Sequence, residues 1–161
     1  MTNNTGLDIF ISASLKYPEL NTIKYQANRE LIIFEIALKG KITAQQKSIF
    51  ERKITDCLNL FYKMKNLQAV SLEWRFKDSS EITLLRFYRD VNSLSEEEIE
   101  LLVLLLREHF DDLLVRDNNS IIAEDSLKRQ LKKNLLKKVG NKNATNFFAY
   151  REEGKVFVYN K

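Results

Sequence analysis

The basic stretch SLKRQLKKNLLKKVG, from Ser126 to Gly140, carries the side chains best suited to binding an anion. Six of the thirteen residues from Lys128 to Gly140 are lysine or arginine, and none is acidic. An apolar residue recurs at every fourth position, as Leu127, Leu131, Leu135 and Val139. This spacing predicts a helix with one narrow apolar stripe and an otherwise basic surface. Because lysine and arginine neutralise phosphates, such a surface is typical of contact with nucleic acid.

Aromatic residues and cations share the segment that follows, FFAYREEGKVFVYNK, Phe147 to Lys161. The pattern predicts a β-hairpin that turns at 152–154. Aromatic rings beside cations stack on unpaired bases, which favours RNA over DNA as the partner. The predicted phosphate-binding residues are Lys128, Arg129, Lys132, Lys133, Lys137, Lys138, Lys142, Arg151 and Lys155. The predicted stacking residues are Phe148, Tyr150, Phe157 and Tyr159. Packing inside the hairpin is the alternative for at least half of the aromatic side chains.

Other interpretations of the basic helix remain open. Its stripe could dock on the rest of the chain and leave the lysines solvated, although a helix that needs only solubility normally mixes charges of both signs. The stripe could also meet the apolar run LLVLLL, Leu101–Leu106, in a homodimer. A membrane surface fits less well, because the stripe lacks Trp and Phe. The sequence therefore predicts a nucleic-acid-binding protein, with a protein-interaction or homo-oligomeric scaffold module as the alternative.

Few residues in the chain could carry out acid–base or nucleophilic chemistry. Cys57 is the one cysteine, and it falls in the apolar pattern of a helix, where a small buried side chain is the ordinary interpretation. Asp112 lies three residues after His109 and could orient its imidazole, yet a histidine near a helix C-terminus is common without catalysis. The acidic cluster Glu96, Glu97, Glu98 and Glu100 suits the positive end of a helix dipole. We predict no catalytic residue, no metal site and no enzyme activity.

The composition is that of a folded chain with an uneven charge. The 161 residues are 44% apolar and 30% charged, and a single cysteine agrees with a cytoplasmic location. The N-terminus shows no signal-peptide pattern, and six consecutive apolar residues are too few to span a membrane. Residues 126–161 contain ten basic and two acidic side chains, whereas residues 1–125 contain 16 basic and 20 acidic ones. The four glycines are isolated, so no phosphate-cradling loop and no cofactor are predicted.

Helices and hairpins alternate before the basic segment. A helix over 7–17 ends at Pro18, and hairpins are predicted for 22–26 with 31–39 and for 69–76 with 81–89. Thr43 and Gln46 form a capping box for the helix between the hairpins, and Ser95 caps the helix after them. The apolar stripe of the first of these two helices comprises Ile49, Phe50, Ile54, Cys57, Leu58, Phe61 and Met64. The apolar face of the strand at 69–76 comprises Val70, Leu72, Trp74 and Phe76.

This order of elements predicts an α+β fold in which an antiparallel sheet, built from two β-hairpins, packs against helices. The core would be αββαββα-like, or ferredoxin-like if a short strand at 120–123 completes it. The polar cluster DNNS, Asp117–Ser120, precedes the change in charge and predicts a domain division. Residues 1–117 would form a mixed α/β body, and 118–161 would add the basic helix and the aromatic hairpin, either apart from the body or packed on it.

Overall fold

A single antiparallel sheet organises the part of the chain that the computed structural model describes, which comprises residues 4–116, Lys133, 146–152 and 155–160. Residues 4–116, 146–152 and 155–160 contain six strands and three α-helices. The strands are β1 (Thr22–Gln26), β2 (Leu31–Lys39), β3 (Leu72–Asp78), β4 (Ile82–Asp90), β5 (Asn146–Glu152) and β6 (Lys155–Asn160). The helices are α1 (Asn4–Lys16), α2 (Ala44–Lys65) and α3 (Glu96–Phe110). The predicted α+β class, with an antiparallel sheet packed on helices, is confirmed.

The strand order is β3-β4-β2-β1-β5-β6, so the aromatic hairpin extends the sheet of the preceding residues. Strand β5 pairs with β1, with Ile23 opposite Ala149 and Tyr25 opposite Phe147. Strand β1 is therefore hydrogen-bonded on both sides, to β2 and to β5. The division of the chain at residue 117 stays a prediction. The predicted basic helix and the strand at 120–123 lie outside the described residues, except for Lys133, which is helical and exposed.

Local sequence signals account for the ends of the helices. Thr43 and Gln46 form the predicted capping box at the start of α2, because each side chain bonds the backbone N–H of the other residue. The Ser95 side chain accepts a hydrogen bond from the backbone N–H of Glu98, as predicted for the start of α3. Asn66 ends α2 in the left-handed conformation that asparagine tolerates. These caps satisfy backbone groups that the helices leave unpaired.

The helices pack on the face of the sheet that carries Phe34, Phe87 and Phe147, which we call the helix face. Helix α1 reaches it through Phe10, whose ring lies 6.2 Å from that of Phe147. Helix α2 reaches it through Phe50, whose ring lies 6.3 Å from that of Phe76. Most of the buried apolar side chains form one core cluster between the helices and this face. The core therefore includes a residue of the C-terminal hairpin.

Three apolar residues that sequence periodicity placed in the core are exposed. Strand β3 begins at Leu72, so Val70 precedes the strand and is 82% exposed. Helix α2 buries only residues spaced four apart, Phe50, Ile54, Leu58 and Tyr62, because α3 and the sheet contact one narrow side of it. Ile49 and Met64 flank that side and stay exposed. In the parts of the chain described, no helix is long and apolar enough to cross a membrane.

Candidate nucleic-acid interface

The face of the sheet opposite the helix face carries two rows of residues, and we call it the open face because no element in the described ranges covers it. The register of the strand pairs defines both rows. The first row is Glu73, Tyr88, Ile33, Lys24, Phe148 and Tyr159. The second row is Arg75, Arg86, Glu35, Thr22, Tyr150 and Phe157. Each row crosses all six strands, so the open face is a continuous surface.

Aromatic residues occupy the β5–β6 end of the open face. The rings of Tyr150 and Phe157 are stacked, with centroids 5.1 Å apart and an interplanar angle of 17°. Phe157 is 40% exposed, while Phe148 and Tyr150 are half-buried. The Lys24 ammonium lies 4.9 Å from the centre of the Phe148 ring. Predicted stacking residues thus lie together on a single face, next to a cation.

Cations continue along the open face towards β3. Glu35 bridges two of them, with Arg86 Nε 2.7 Å and Lys24 Nζ 3.8 Å from its carboxylate. The hydrogen bond to Glu35 raises the pKa of Arg86 above its ordinary value, so this guanidinium remains charged. The Arg75 guanidinium lies 5.7 Å from the centre of the Tyr88 ring. Cations therefore lie beside aromatic rings at both ends of the open face, at Arg75 with Tyr88 and at Lys24 with Phe148. Surfaces that bind single-stranded nucleic acid combine these two kinds of group.

The structure separates some of the predicted site residues. Lys155 belongs to the open face by its register on β6 and is exposed, and Tyr159 is paired with Phe148. Arg151 alternates with Tyr150 on β5 and so lies on the helix face, opposite Val156. The remaining predicted phosphate-binding residues, apart from the exposed Lys133, lie outside the described residues.

Sequence reasoning missed the cations and the tyrosine on the strands of the body, which are Lys24, Arg75, Arg86 and Tyr88. The alternation of buried and polar residues along the strands could have identified them. Lys24 falls between the core residues Ile23 and Tyr25, and Arg86 falls between Leu85 and Phe87. Alternation shows that these residues face away from the core. It does not show that they continue the surface of the hairpin, because that depends on the pairing of β1 with β5.

The two candidate catalytic residues, His109 and Cys57, lie against side chains of the core. The His109 ring lies between Phe50 and Phe110, with centroids 5.5 Å and 4.7 Å away, and its Nε2 is 3.3 Å from the Gln46 carbonyl oxygen. Cys57 is half-buried against the core. Among the described residues, no group of His, Cys, Asp and Glu is arranged to hold a metal ion.

A buried ionic cluster lies on the helix side of the sheet, at the end of β4. Arg89 and Glu98 are both fully buried, and the guanidinium bonds the carboxylate through Nε at 2.6 Å and Nη2 at 2.8 Å. The Tyr62 hydroxyl donates to the same carboxylate at 2.9 Å. Arg89 also contacts Asp90, which accepts backbone hydrogen bonds from Val70 at 3.1 Å and Ser71 at 2.9 Å. The cluster therefore connects α2, α3 and the start of β3.

Comparison of the sequence with protein families, and comparison of the chain with curated proteins and with solved structures, gave no match.

Proposed function

We propose that this protein binds single-stranded nucleic acid, RNA in preference to DNA, in the cytoplasm and without catalysing a reaction. The observation that carries the proposal is the open face, where Phe148 lies beside Lys24 and the rings of Tyr150 and Phe157 are stacked. Bases stack on such rings, and phosphates lie against neighbouring cations. The basic segment 126–140 adds further phosphate contacts, which increase affinity without reading sequence.

The charges of the open face agree with an anionic partner. Basic residues at its register positions are Lys24, Lys39, Arg75, Lys77, Arg86 and Lys155. Acidic residues there are Glu35, Glu73, Asp90 and Glu152, of which Asp90 is paired with the buried Arg89. Glu35 is engaged by Arg86 and Lys24, and Glu73 by Arg75, so these carboxylates orient the cations as well as offsetting their charge. A strand of RNA that crosses the rows would meet a ring or a cation on most of the β-strands.

The test is fluorescence anisotropy of labelled single-stranded RNA and of duplex DNA, titrated with the full chain and with Tyr150→Ala and Phe157→Ala. Each substitution should weaken RNA binding about tenfold, since a base–aromatic stack contributes about 1–3 kcal/mol. Leu104→Ala is the matched control, because Leu104 is a 53% exposed apolar side chain on α3. This control should bind RNA like the wild type.

A second set of variants tests the basic segment. Changing Lys132, Lys133, Lys137 and Lys138 to Glu should weaken binding and flatten its dependence on salt, since fewer counterions are released. An unchanged RNA affinity in the aromatic variants, or no binding by the wild type at low salt, would overturn the proposal. If the lysine variants instead alter the oligomeric mass without nucleic acid, the basic segment is an assembly element, as the protein-interaction alternative requires.

A further inference from the structure

A cleft lies where the first row of the open face meets the β1–β2 connection. Its volume is about 500 Å³, within the range of about 300–1,000 Å³ that small-molecule sites occupy. Its residues are Gln26, Arg29, Leu31, Ile33, Val70, Ser71, Leu72, Glu73 and Tyr88. Because Ile33, Glu73 and Tyr88 also belong to the first row, the cleft is continuous with the surface proposed to bind RNA.

The polar groups of the cleft come from its two sides. Glu73 belongs to β3, whereas Gln26 ends β1, and three strand spacings, about 14 Å, separate those strands. Apolar side chains of β2, Leu31 and Ile33, lie between them. A flat molecule with apolar faces and polar edges matches this arrangement.

Polar atoms that can still form hydrogen bonds lie on the β3 side and on the β1 side of the cleft. Arg75 Nε and Nη2 both approach Oε1 of Glu73, each at 2.7 Å, and no described residue binds Oε2. The Gln26 side-chain oxygen accepts a hydrogen bond from Arg29 Nη1 at 3.5 Å, which leaves the amide hydrogens of Gln26 for a ligand. The cleft thus offers a carboxylate acceptor on one side and amide and guanidinium donors on the other.

We infer that this cleft binds one guanine base of the RNA strand. Guanine has two adjacent donors, N1–H and the N2 amino group, which can approach Oε2 of Glu73 while Arg75 holds Oε1. Its O6 and N7 acceptors suit Arg29 or Gln26 on the other side. Uracil has a single ring donor and no amino group, so it would leave polar atoms of the cleft without a hydrogen-bond partner. Because unpaired polar atoms cost free energy, the cleft should bind uracil more weakly than guanine. The inference rests on the proposed function, because the strand must already lie across the open face.

The experiment compares two labelled RNAs, an oligouridine and the same oligomer with one internal guanosine, by fluorescence anisotropy. The wild type should bind the guanosine-containing RNA about tenfold more tightly. Glu73→Gln should reduce this ratio to about one, because Arg75 would hold the carboxamide oxygen and the amide N–H group would then face the guanine donors. Glu81→Gln removes the same charge at an exposed residue outside the cleft, and it should keep the wild-type ratio.

The ratio of the two RNA affinities tests the guanine site independently of the proposed function. Equal affinity for both RNAs, still reduced by Tyr150→Ala, would overturn the guanine site and leave the proposed function standing. A ratio that persists in Glu73→Gln would also overturn the guanine site. No binding of either RNA at low salt would overturn both.

Discussion

At the scale of single residues, the best-defined interactions are buried and ionic. Arg89 and Glu98 have no exposed surface, and a buried ion pair persists only when its remaining polar atoms are satisfied. Tyr62 and Asp90 supply those additional bonds. Burial, followed by the charge of Glu98, raises the pKa of Tyr62 well above its ordinary value. The hydroxyl therefore stays protonated and donates a hydrogen bond to Glu98.

Replacing Arg89 by methionine should lower the free energy of unfolding by about 3–5 kcal/mol, because Glu98 would remain buried without its partner. Urea denaturation followed by circular dichroism measures this change. Arg75→Met is the matched control, since Arg75 is exposed and its pair with Glu73 contributes less than about 1 kcal/mol. Similar losses in the two variants would contradict a special role for the buried cluster.

Asp90 makes the stability depend on pH in the acidic range. Burial raises the pKa of Asp90, but hydrogen bonds from Ser93 and Ser71 and the charge of Arg89 outweigh it and hold the pKa below the ordinary value. A depressed carboxylate pKa stabilises the folded state above the unfolded pKa, about 3.9, and this stabilisation is lost as the pH falls through the folded pKa. The wild type should therefore exceed Asp90→Asn in unfolding free energy near neutrality, and the difference should shrink below about pH 4. Urea unfolding over a pH series measures it, and a constant difference would contradict the assignment.

At the scale of elements, local signals were sufficient for the body and insufficient for the sheet as a whole. Alternation and capping residues predicted the two hairpins and all three helices, with α1 and β3 displaced by about three residues. The pairing of β1 with β5 joins segments that are far apart in the sequence. The hydrophobic periodicity of each segment does not indicate which strand it pairs with. The continuity of the open face could not be predicted for the same reason. The sequence alone groups Glu98 with the exposed Glu96, Glu97 and Glu100, because its buried partner Arg89 belongs to another element.

The capping box of α2 provides a test at this scale. Thr43→Ala removes the hydroxyl that bonds the Gln46 backbone and should cost about 1 kcal/mol of unfolding free energy. Ser48→Ala removes an exposed hydroxyl inside the same helix. Because alanine has a higher helix propensity than serine, this variant should be as stable as the wild type or slightly more stable. Thermal and urea unfolding of both variants measure the contrast, and equal effects would show that the cap contributes nothing.

At the scale of the whole molecule, the C-terminal hairpin belongs to the same sheet and core as the first strand. Phe147 is fully buried and contacts Phe10 of α1 and Tyr25 of β1. The hairpin carries aromatic residues of the open face on one side and core residues on the other. Deleting it would disturb the core as well as the open face, so point substitutions on the open face test the proposed function more cleanly than truncation does.

Phe147→Ala should lower the free energy of unfolding by about 3–5 kcal/mol, as expected for a large aromatic core residue. Phe157→Ala is the matched control, because this ring is 40% exposed and should cost much less. Urea denaturation of the two variants measures the difference. A small effect of Phe147→Ala would mean that the hairpin contributes little to the core.

The position of β1 between β2 and β5 has a consequence for synthesis on the ribosome. Strand β1 emerges early, but its second neighbour begins only at Asn146, so one side of β1 stays unpaired while the intervening chain is made. An unpaired strand edge is a template for pairing with other chains. Nascent chains released before Asn146 would keep that edge, which makes them substrates for chaperones and proteases. Translation through β5 and β6 is therefore a condition both for completing the described sheet and for displaying the surface that we propose binds RNA.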